Sequence, residues 1–131
     1  MDNILIPVSP GELIDRLTIL RIKSEKMTDA GKLRNVSREQ VALQKIADTT
    51  LPTDANLLAL WGELYNINLD LWTVEEDIRA FEARQDFGPA FIALARAVYM
   101  TNDKRARLKR QINTLLGSEF VEEKSYKAGP L

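Results

Sequence analysis

The stretch that decides the fold runs from Asp54 to Ala83 and reads DANLLALWGELYNINLDLWTVEEDIRAFEA. Its apolar residues recur at alternating steps of three and four, which is the spacing of a helix that buries one seam. The members of this seam are Leu57, Leu60, Leu64, Ile67, Leu71, Val74, Ile78 and Phe81. Thr53 and Asp54 follow Pro52 and can cap the start of such a helix. The pattern therefore predicts one long, continuous helix.

A second seam of the same kind follows a turn at Asp86-Phe87-Gly88-Pro89, in which the proline suits the first position of a helix. This seam runs through Phe91, Leu94, Val98, Thr101, Arg105, Leu108, Ile112 and Leu115. Gly117 supplies a stop signal after it. Two long helices joined by a short turn lie antiparallel, so the sequence predicts a helical hairpin.

The charges of the two predicted helices are opposite. The segment from Thr53 to Gly88 carries eight acids and two bases, whereas the segment from Pro89 to Gly117 carries one acid and six bases. The near-neutral formal charge of −1 for the whole chain therefore hides a polarised hairpin. We expect the acidic helix and the basic helix to complement each other.

Two shorter helices are predicted before the hairpin. Ser9-Pro10-Gly11-Glu12 has the pattern of a capping box, with an N-cap hydroxyl, proline at the first helical position and glutamate three residues on. Helix one ends at the turn Thr28-Asp29-Ala30-Gly31, and helix two covers about Lys32 to Asp48. The fold class is all-α: one domain over residues 1–131, a helical bundle on a long antiparallel hairpin with short extended termini. We expect the two extended segments, Asn3 to Val8 and Glu119 to Lys124, to pair with each other.

Composition excludes several kinds of chemistry. The 131 residues include no cysteine and no histidine. Disulfides, thiolate metal sites, Ser-His-Asp or Cys-His nucleophilic catalysis and imidazole metal sites are thereby unavailable. The acidic run Glu75-Glu76-Asp77 lacks the Glu-Glu-x-x-Glu pattern of magnesium-binding helical hydrolases, because Arg79 occupies the third position, and it is interpreted as a solvated face. We expect no catalytic residue, no cofactor and no metal.

Membrane and nucleic-acid partners are not expected either. The residues before Pro7 lack the basic start and long apolar run of a signal peptide, and no apolar stretch reaches the roughly 20 residues of a membrane span. We therefore expect a cytoplasmic protein. The basic run from Lys104 to Arg110 suits the C-terminal half of a helix and an acidic partner helix, and no aromatic platform interrupts it.

A polar layer interrupts the apolar seam of the second hairpin helix. Thr101 and Arg105 take consecutive inward positions, and Asn68 and Asn102 lie at the same level. A buried guanidinium must reach solvent, pair with an acid such as Asp15, or meet an anionic ligand. We favour the interpretation that this polar layer is structural and fixes the register of the helices. The alternative is an anion site, with residues Arg16, Arg105, Asn102, Thr101 and Asn68.

An aromatic stripe outside the seam suggests self-association. It lies on the first hairpin helix and is continued by two isoleucines of helix one, which makes more apolar surface than a lone bundle of this size usually exposes. The candidate dimer-interface residues are Trp61, Tyr65, Trp72, Ile19 and Ile22. Packing of the same residues inside the monomer is the other possibility.

Several motifs carry a resemblance to a known family. They read PVSPGELIDRLTIL from Pro7 to Leu20, DFG from Asp86 to Gly88, TND from Thr101 to Asp103 with Arg105, Leu108 and Lys109 after it, and EEKSY from Glu122 to Tyr126. Over almost its whole length the chain resembles a bacterial family of domains of unknown function. The resemblance implies no catalytic residues, and only a loose association with gene neighbourhoods of glycosyltransferases and surface polysaccharide synthesis.

The sequence thus leaves two functions open. The first is a non-enzymatic helical binding or assembly module that forms a homodimer. The alternative is a binding protein or enzyme for a small anionic metabolite, such as phosphate or a nucleotide sugar, linked to surface polysaccharide synthesis.

Overall fold

A computed structural model describes residues 1–125 and contains four helices and no strand within that range. The helices are α1 (Pro10–Lys26), α2 (Ala30–Thr50), α3 (Ala55–Ala83) and α4 (Pro89–Leu115). The all-α class and the long hairpin of α3 and α4 are confirmed. Helix α2 extends two residues beyond each of its predicted limits, and Tyr126 of the EEKSY motif lies outside the described residues.

Local signals at the helix ends act largely as the sequence predicts. Ser9 Oγ accepts a hydrogen bond from the backbone N–H of Glu12 at 3.2 Å, and Asp54 caps α3 through the N–H groups of Asn56 and Leu57. Gly117, with φ of 66°, adopts the left-handed conformation that follows the end of α4. The capping box is only half realised, because the Glu12 carboxylate binds a side chain of α4.

The core lies where α1 packs into the groove between α3 and α4. Its buried side chains come from all three helices: Ile14, Leu57, Leu64 and Ile112. A second cluster of Leu13, Leu17 and Ala47 holds α2 against α1. Trp61 packs on both clusters and joins them. Helix α2 contributes little else, since its only buried residues are Val36 and Ala47.

The hairpin is longer than the helix that covers it. Helices α3 and α4 have 29 and 27 residues, whereas α1 has 17. At about 1.5 Å per residue, the hairpin extends well beyond α1. We call residues 72–102 the distal arm, and none of them is buried. Its seam residues are all only half-buried: Val74, Ile78, Phe81, Phe91, Leu94 and Val98.

Two expectations about the rest of the chain are wrong. The terminal segments do not pair as strands: Ile4, Leu5 and Ile6 are exposed, while the segment after α4 runs back along α4. Within residues 1–125, no ion pair joins α3 to α4. Three bases of α4, Arg105, Lys109 and Arg110, instead bind acids of α1 and of the C-terminal segment.

Candidate functional site

Helix α1 approaches α4 at backbone distance near Gly11. The N–H of Gly11 donates to Oδ1 of Asn113 at 2.8 Å. A Cβ atom at position 11 would lie 2.7 Å from the carbonyl oxygen of Lys109 and 2.9 Å from Asn113 Oδ1. Only glycine fits this contact without moving a helix. The close approach sets the position of every α1 side chain that faces the hairpin.

One turn further along α1, a buried carboxylate organises the polar layer. Asp15 is 1% exposed and accepts hydrogen bonds from Arg105 Nε to Oδ1 at 2.9 Å and from Arg105 Nη2 to Oδ2 at 2.5 Å. Asn68 Nδ2 donates to Asp15 Oδ1 and to Thr18 Oγ1, each at 2.9 Å. Thr18 Oγ1 donates to the Asp15 carbonyl at 2.7 Å. Three helices thus meet in one hydrogen-bond network.

The network is electrostatically complete. The hydrogen bond to Asp15 raises the pKa of Arg105 above its ordinary value, which outweighs the opposing effect of burial. Within residues 1–125, no buried side-chain nitrogen or oxygen lacks a hydrogen-bond partner. Asp15 therefore neutralises Arg105, as the favoured interpretation of the sequence requires. A buried ion pair contributes little net stability, however, so its presence does not by itself explain the layer.

A second ion-pair cluster lies beside the Gly11 contact. Lys109 is 8% exposed, and its Nζ binds Glu12 Oε2 at 2.8 Å and Glu122 Oε2 at 3.0 Å. Burial lowers the pKa of Lys109, but the hydrogen bonds to Glu12 and Glu122 more than compensate, and the pKa is raised above its ordinary value. Lys109 therefore links α1, α4 and the C-terminal segment as a charged group.

This cluster predicts an alkaline limit to stability. Because the folded-state pKa of Lys109 is raised, its contribution is fully present below its unfolded pKa of about 10.4 and is lost as pH rises through the folded value. We expect the free energy of unfolding to fall above about pH 10 in the wild type, and less steeply in Lys109→Met. Urea titrations at a series of pH values measure this difference. Tyr65, whose pKa is raised by its hydrogen bond to Glu25, titrates in both proteins and cancels. Equal slopes for the two proteins would contradict the assignment.

The polar layer forms one end of an open cleft. The cleft has a volume of about 500 Å³, within the roughly 300–1,000 Å³ typical of small-molecule sites. It begins where α1 ends over the hairpin and continues onto the distal arm. Its lining consists of Ile19, Ile22, Asn68, Leu71, Trp72, Glu75, Glu76, Arg79, Asn102 and Arg105.

The structure brings together part of the anion site that the sequence suggested. Arg105, Asn102 and Asn68 line the cleft, and Arg105 Nη1 lies 3.5 Å from Oδ1 of Asn102. Thr101 is half-buried and is not part of the lining. Arg16 is also outside the cleft: it is exposed and pairs with Glu12 and Glu39. An arginine clamp from two helices is therefore not formed by Arg16 and Arg105.

The candidate dimer residues contact the chain's own first helix. Tyr65 donates to Glu25 Oε1 at 2.5 Å and lies under the guanidinium of Arg21. Ile22 is 1% exposed, whereas Ile19 and Trp72 are half-buried and line the cleft. With Trp61 on the core clusters, the stripe is largely engaged inside one chain. Four of these five residues are only half-buried, so their role in a dimer interface stays a prediction: Ile19, Trp61, Tyr65 and Trp72.

Sequence reasoning missed the residues that dock α1 onto α4. The sequence did not indicate that Gly11, Lys109 and Asn113 form this contact. A lysine or an asparagine on the polar side of a helix looks like a solvated residue even when it is buried. Asp103 of α4 is also 7% exposed, and it lies beside the C-terminal segment. The opposite charges of Lys109-Arg110 and Glu122-Glu123 were the signal that could have placed that segment.

The architecture defines a class: an all-α protein in which a short helix is locked into one half of a long helical hairpin by a buried ion-pair network. Residues 4–130 match a family described as a family of unknown function, DUF6165. The chain belongs to that family. No curated protein and no solved structure matches it. No helix in the described part of the chain is long and apolar enough to cross a membrane.

Proposed function

We propose that this protein is a non-enzymatic assembly module that forms a homodimer through its distal arm and acts in the cytoplasm. One observation carries the proposal: no residue between positions 72 and 102 is buried, although the seam of α3 and α4 continues through them. An apolar helical surface that is left half-open favours association. Ile92 and Tyr99, 55% and 47% exposed, add apolar area to the arm.

A second copy of the chain fits this surface better than an unrelated partner does. Two helical hairpins that pack seam to seam complete an antiparallel four-helix bundle, the common solution for such seams. In a twofold arrangement, α3 of one copy can lie against α4 of the other. Asp77 and Glu82 are acids of α3 on the arm, outside the cleft, and within residues 1–125 they form no ion pair, so they are available to Arg96 on α4 of a partner.

Light scattering after size-exclusion chromatography tests the dimer. We expect the wild type to have twice the mass of one chain at micromolar concentration. Ile92→Asp should weaken dimerisation by about tenfold or more, because it places an unpaired charge in an apolar contact. Val41→Asp is the matched control, since Val41 is 66% exposed on α2, away from the arm.

Both variants must keep the helical circular-dichroism signal of the wild type, which their exposure leads us to expect. A wild-type protein that stays monomeric over the whole micromolar range would overturn the proposal. Equal dimerisation of the wild type and Ile92→Asp would show that the arm is not the interface.

The cleft supports a second candidate function, the binding of a small ligand with an anionic group. Arg105 lines the cleft, and its Nη1 atom points toward Asn102, whereas Nε and Nη2 bind Asp15. The association with nucleotide-sugar and surface polysaccharide chemistry remains a prediction from the family resemblance. The charges around the cleft narrow the class of ligand further.

A further inference from the structure

The charges that line the cleft do not suit a plain anion. The positive charge of Arg105 is already balanced by Asp15, which binds it through two oxygens. Arg79 is bound by the carboxylate of Glu75 on its own helix. Glu76 also lines the cleft, and within residues 1–125 it takes part in no ion pair. The lining of the cleft, taken together with the carboxylate of Asp15, therefore carries a slightly negative charge. This charge disfavours the binding of a phosphate dianion.

The opposite charges are nevertheless separated along the cleft. Arg105 and Asn68 lie at one end, Trp72 and Asn102 in the middle, and the carboxylates of Glu75 and Glu76 one turn beyond. Helical side chains lean toward the N-terminus of their own helix. Since α3 and α4 are antiparallel, the guanidinium on α4 and the carboxylates on α3 lean toward each other, over Trp72.

The guanidinium is also held in place before any ligand arrives. Asp15 fixes Nε and Nη2 of Arg105, and Asn68, which also donates to Thr18 Oγ1, fixes the carboxylate of Asp15. Asn68 turns its amide nitrogen toward α1, where it donates to Asp15 Oδ1 and Thr18 Oγ1. A pre-positioned donor edge binds a carboxylate with little loss of side-chain entropy.

We propose that the cleft binds a small zwitterion of the amino-acid type with an apolar side chain. The ligand carboxylate accepts from the outer edge of Arg105 and from the amide of Asn102. The ammonium group lies over Trp72 and binds the carboxylate of Glu76, a combination of ion pair and cation–π contact, while Glu75 stays bound to Arg79. The side chain packs on the apolar wall made by Ile19, Ile22 and Leu71. All these groups come from one chain, so the site does not depend on the proposed dimer.

Matched probes test the two charges separately. Isothermal titration calorimetry at neutral pH compares L-phenylalanine and L-leucine with N-acetyl-L-phenylalanine, which lacks the ammonium, and with L-phenylalanine amide, which lacks the carboxylate. We expect the two zwitterions to bind, and each blocked derivative of phenylalanine to bind about tenfold more weakly or worse, because one charged contact is lost. Inorganic phosphate and a nucleotide sugar are the anionic probes and are expected not to bind.

Protein variants locate the site. Glu76→Gln and Asn102→Ala should each weaken binding of L-phenylalanine by about tenfold. Glu63→Gln is the control, because Glu63 is an exposed acid on α3 that lines a different surface, beside Lys104 and Arg107. Ile92→Asp should bind as the wild type does, whether or not the wild type proves to be a dimer.

Three results would overturn the proposal: no binding of either amino acid, equal binding of the blocked derivatives, or binding of phosphate or the nucleotide sugar in preference to the amino acids. The last would support the anion hypothesis instead. Binding that Glu76→Gln and Asn102→Ala leave unchanged would also overturn it, since the ligand would then occupy another surface.

Discussion

Arg105→Met alone is expected to lower the free energy of unfolding by about 3 kcal/mol, because it leaves a buried carboxylate without its cation. Asp15 is 1% exposed, and its carboxylate would keep the hydrogen bond from Asn68 but lose both bonds from Arg105. For a chain of this length the melting temperature should fall by about 10 °C. Chemical denaturation followed by circular dichroism measures the change directly.

The double variant Asp15→Asn, Arg105→Met is the decisive comparison. It removes both charges, while the amide oxygen introduced at position 15 can still accept from Asn68. Replacement of a buried ion pair by neutral groups is often neutral or stabilising, so we expect stability to return to within about 1 kcal/mol of the wild type. A single variant that melts at or above the wild-type temperature would mean that Arg105 is strained in the free protein and waits for a ligand.

Gly11→Ala is expected to destabilise the protein by a similar amount, about 3 kcal/mol. The added methyl group would lie 2.7 Å from a backbone oxygen, and backbone cannot move aside as a flexible side chain can. Helix α1 must therefore shift from α4, which costs about 1–3 kcal/mol for overpacking and weakens the buried hydrogen bond from Gly11 to Asn113. Thermal and urea denaturation both report the loss.

Gly62→Ala provides the matched control for this variant. Gly62 lies inside α3, and a Cβ atom there would meet nothing within 4 Å. The same substitution should therefore stabilise the protein by about 0.5–1 kcal/mol, as alanine favours a helix more than glycine does. If Gly11→Ala lowers the stability no more than Gly62→Ala does, the result would contradict the close packing of α1 on α4.

The helices could be predicted from the sequence because their signals are local. The caps at Ser9 and Asp54, the turn at Gly88-Pro89 and the steps of three and four in α3 each act within a few residues. The heptad seam did not reveal which of its members are buried. Leu64 is fully buried, whereas Ile78 and Phe81 on the same seam are half-exposed, because α1 is too short to cover them. That difference depends on the length of another helix.

The candidate site was only partly predictable for a related reason. The polar layer was visible as a break in the α4 seam, and Asp15 was available as a partner for Arg105. The placement of Arg16 was not predictable, because two adjacent residues of α1 point to different neighbours: Asp15 into the hairpin and Arg16 toward Glu39 of α2. When apolar residues also flank the stripe on both sides, the pattern does not determine the rotation of the helix about its axis to within one residue.

The long sequence separation between α1 and its partners has a consequence for synthesis of the chain. Gly11 binds Asn113, 102 positions later, and Asp15 binds Arg105, 90 positions later. During synthesis, α1 therefore emerges well before α4, and its contacts with Asn113 and Arg105 can form only after α4 has been made. The hairpin can form from neighbouring segments, whereas until α4 is made only α2 and α3 can cover the apolar face of α1. Vectorial synthesis thus delays the docking of α1 onto α4, because these contacts join segments that are far apart in the sequence.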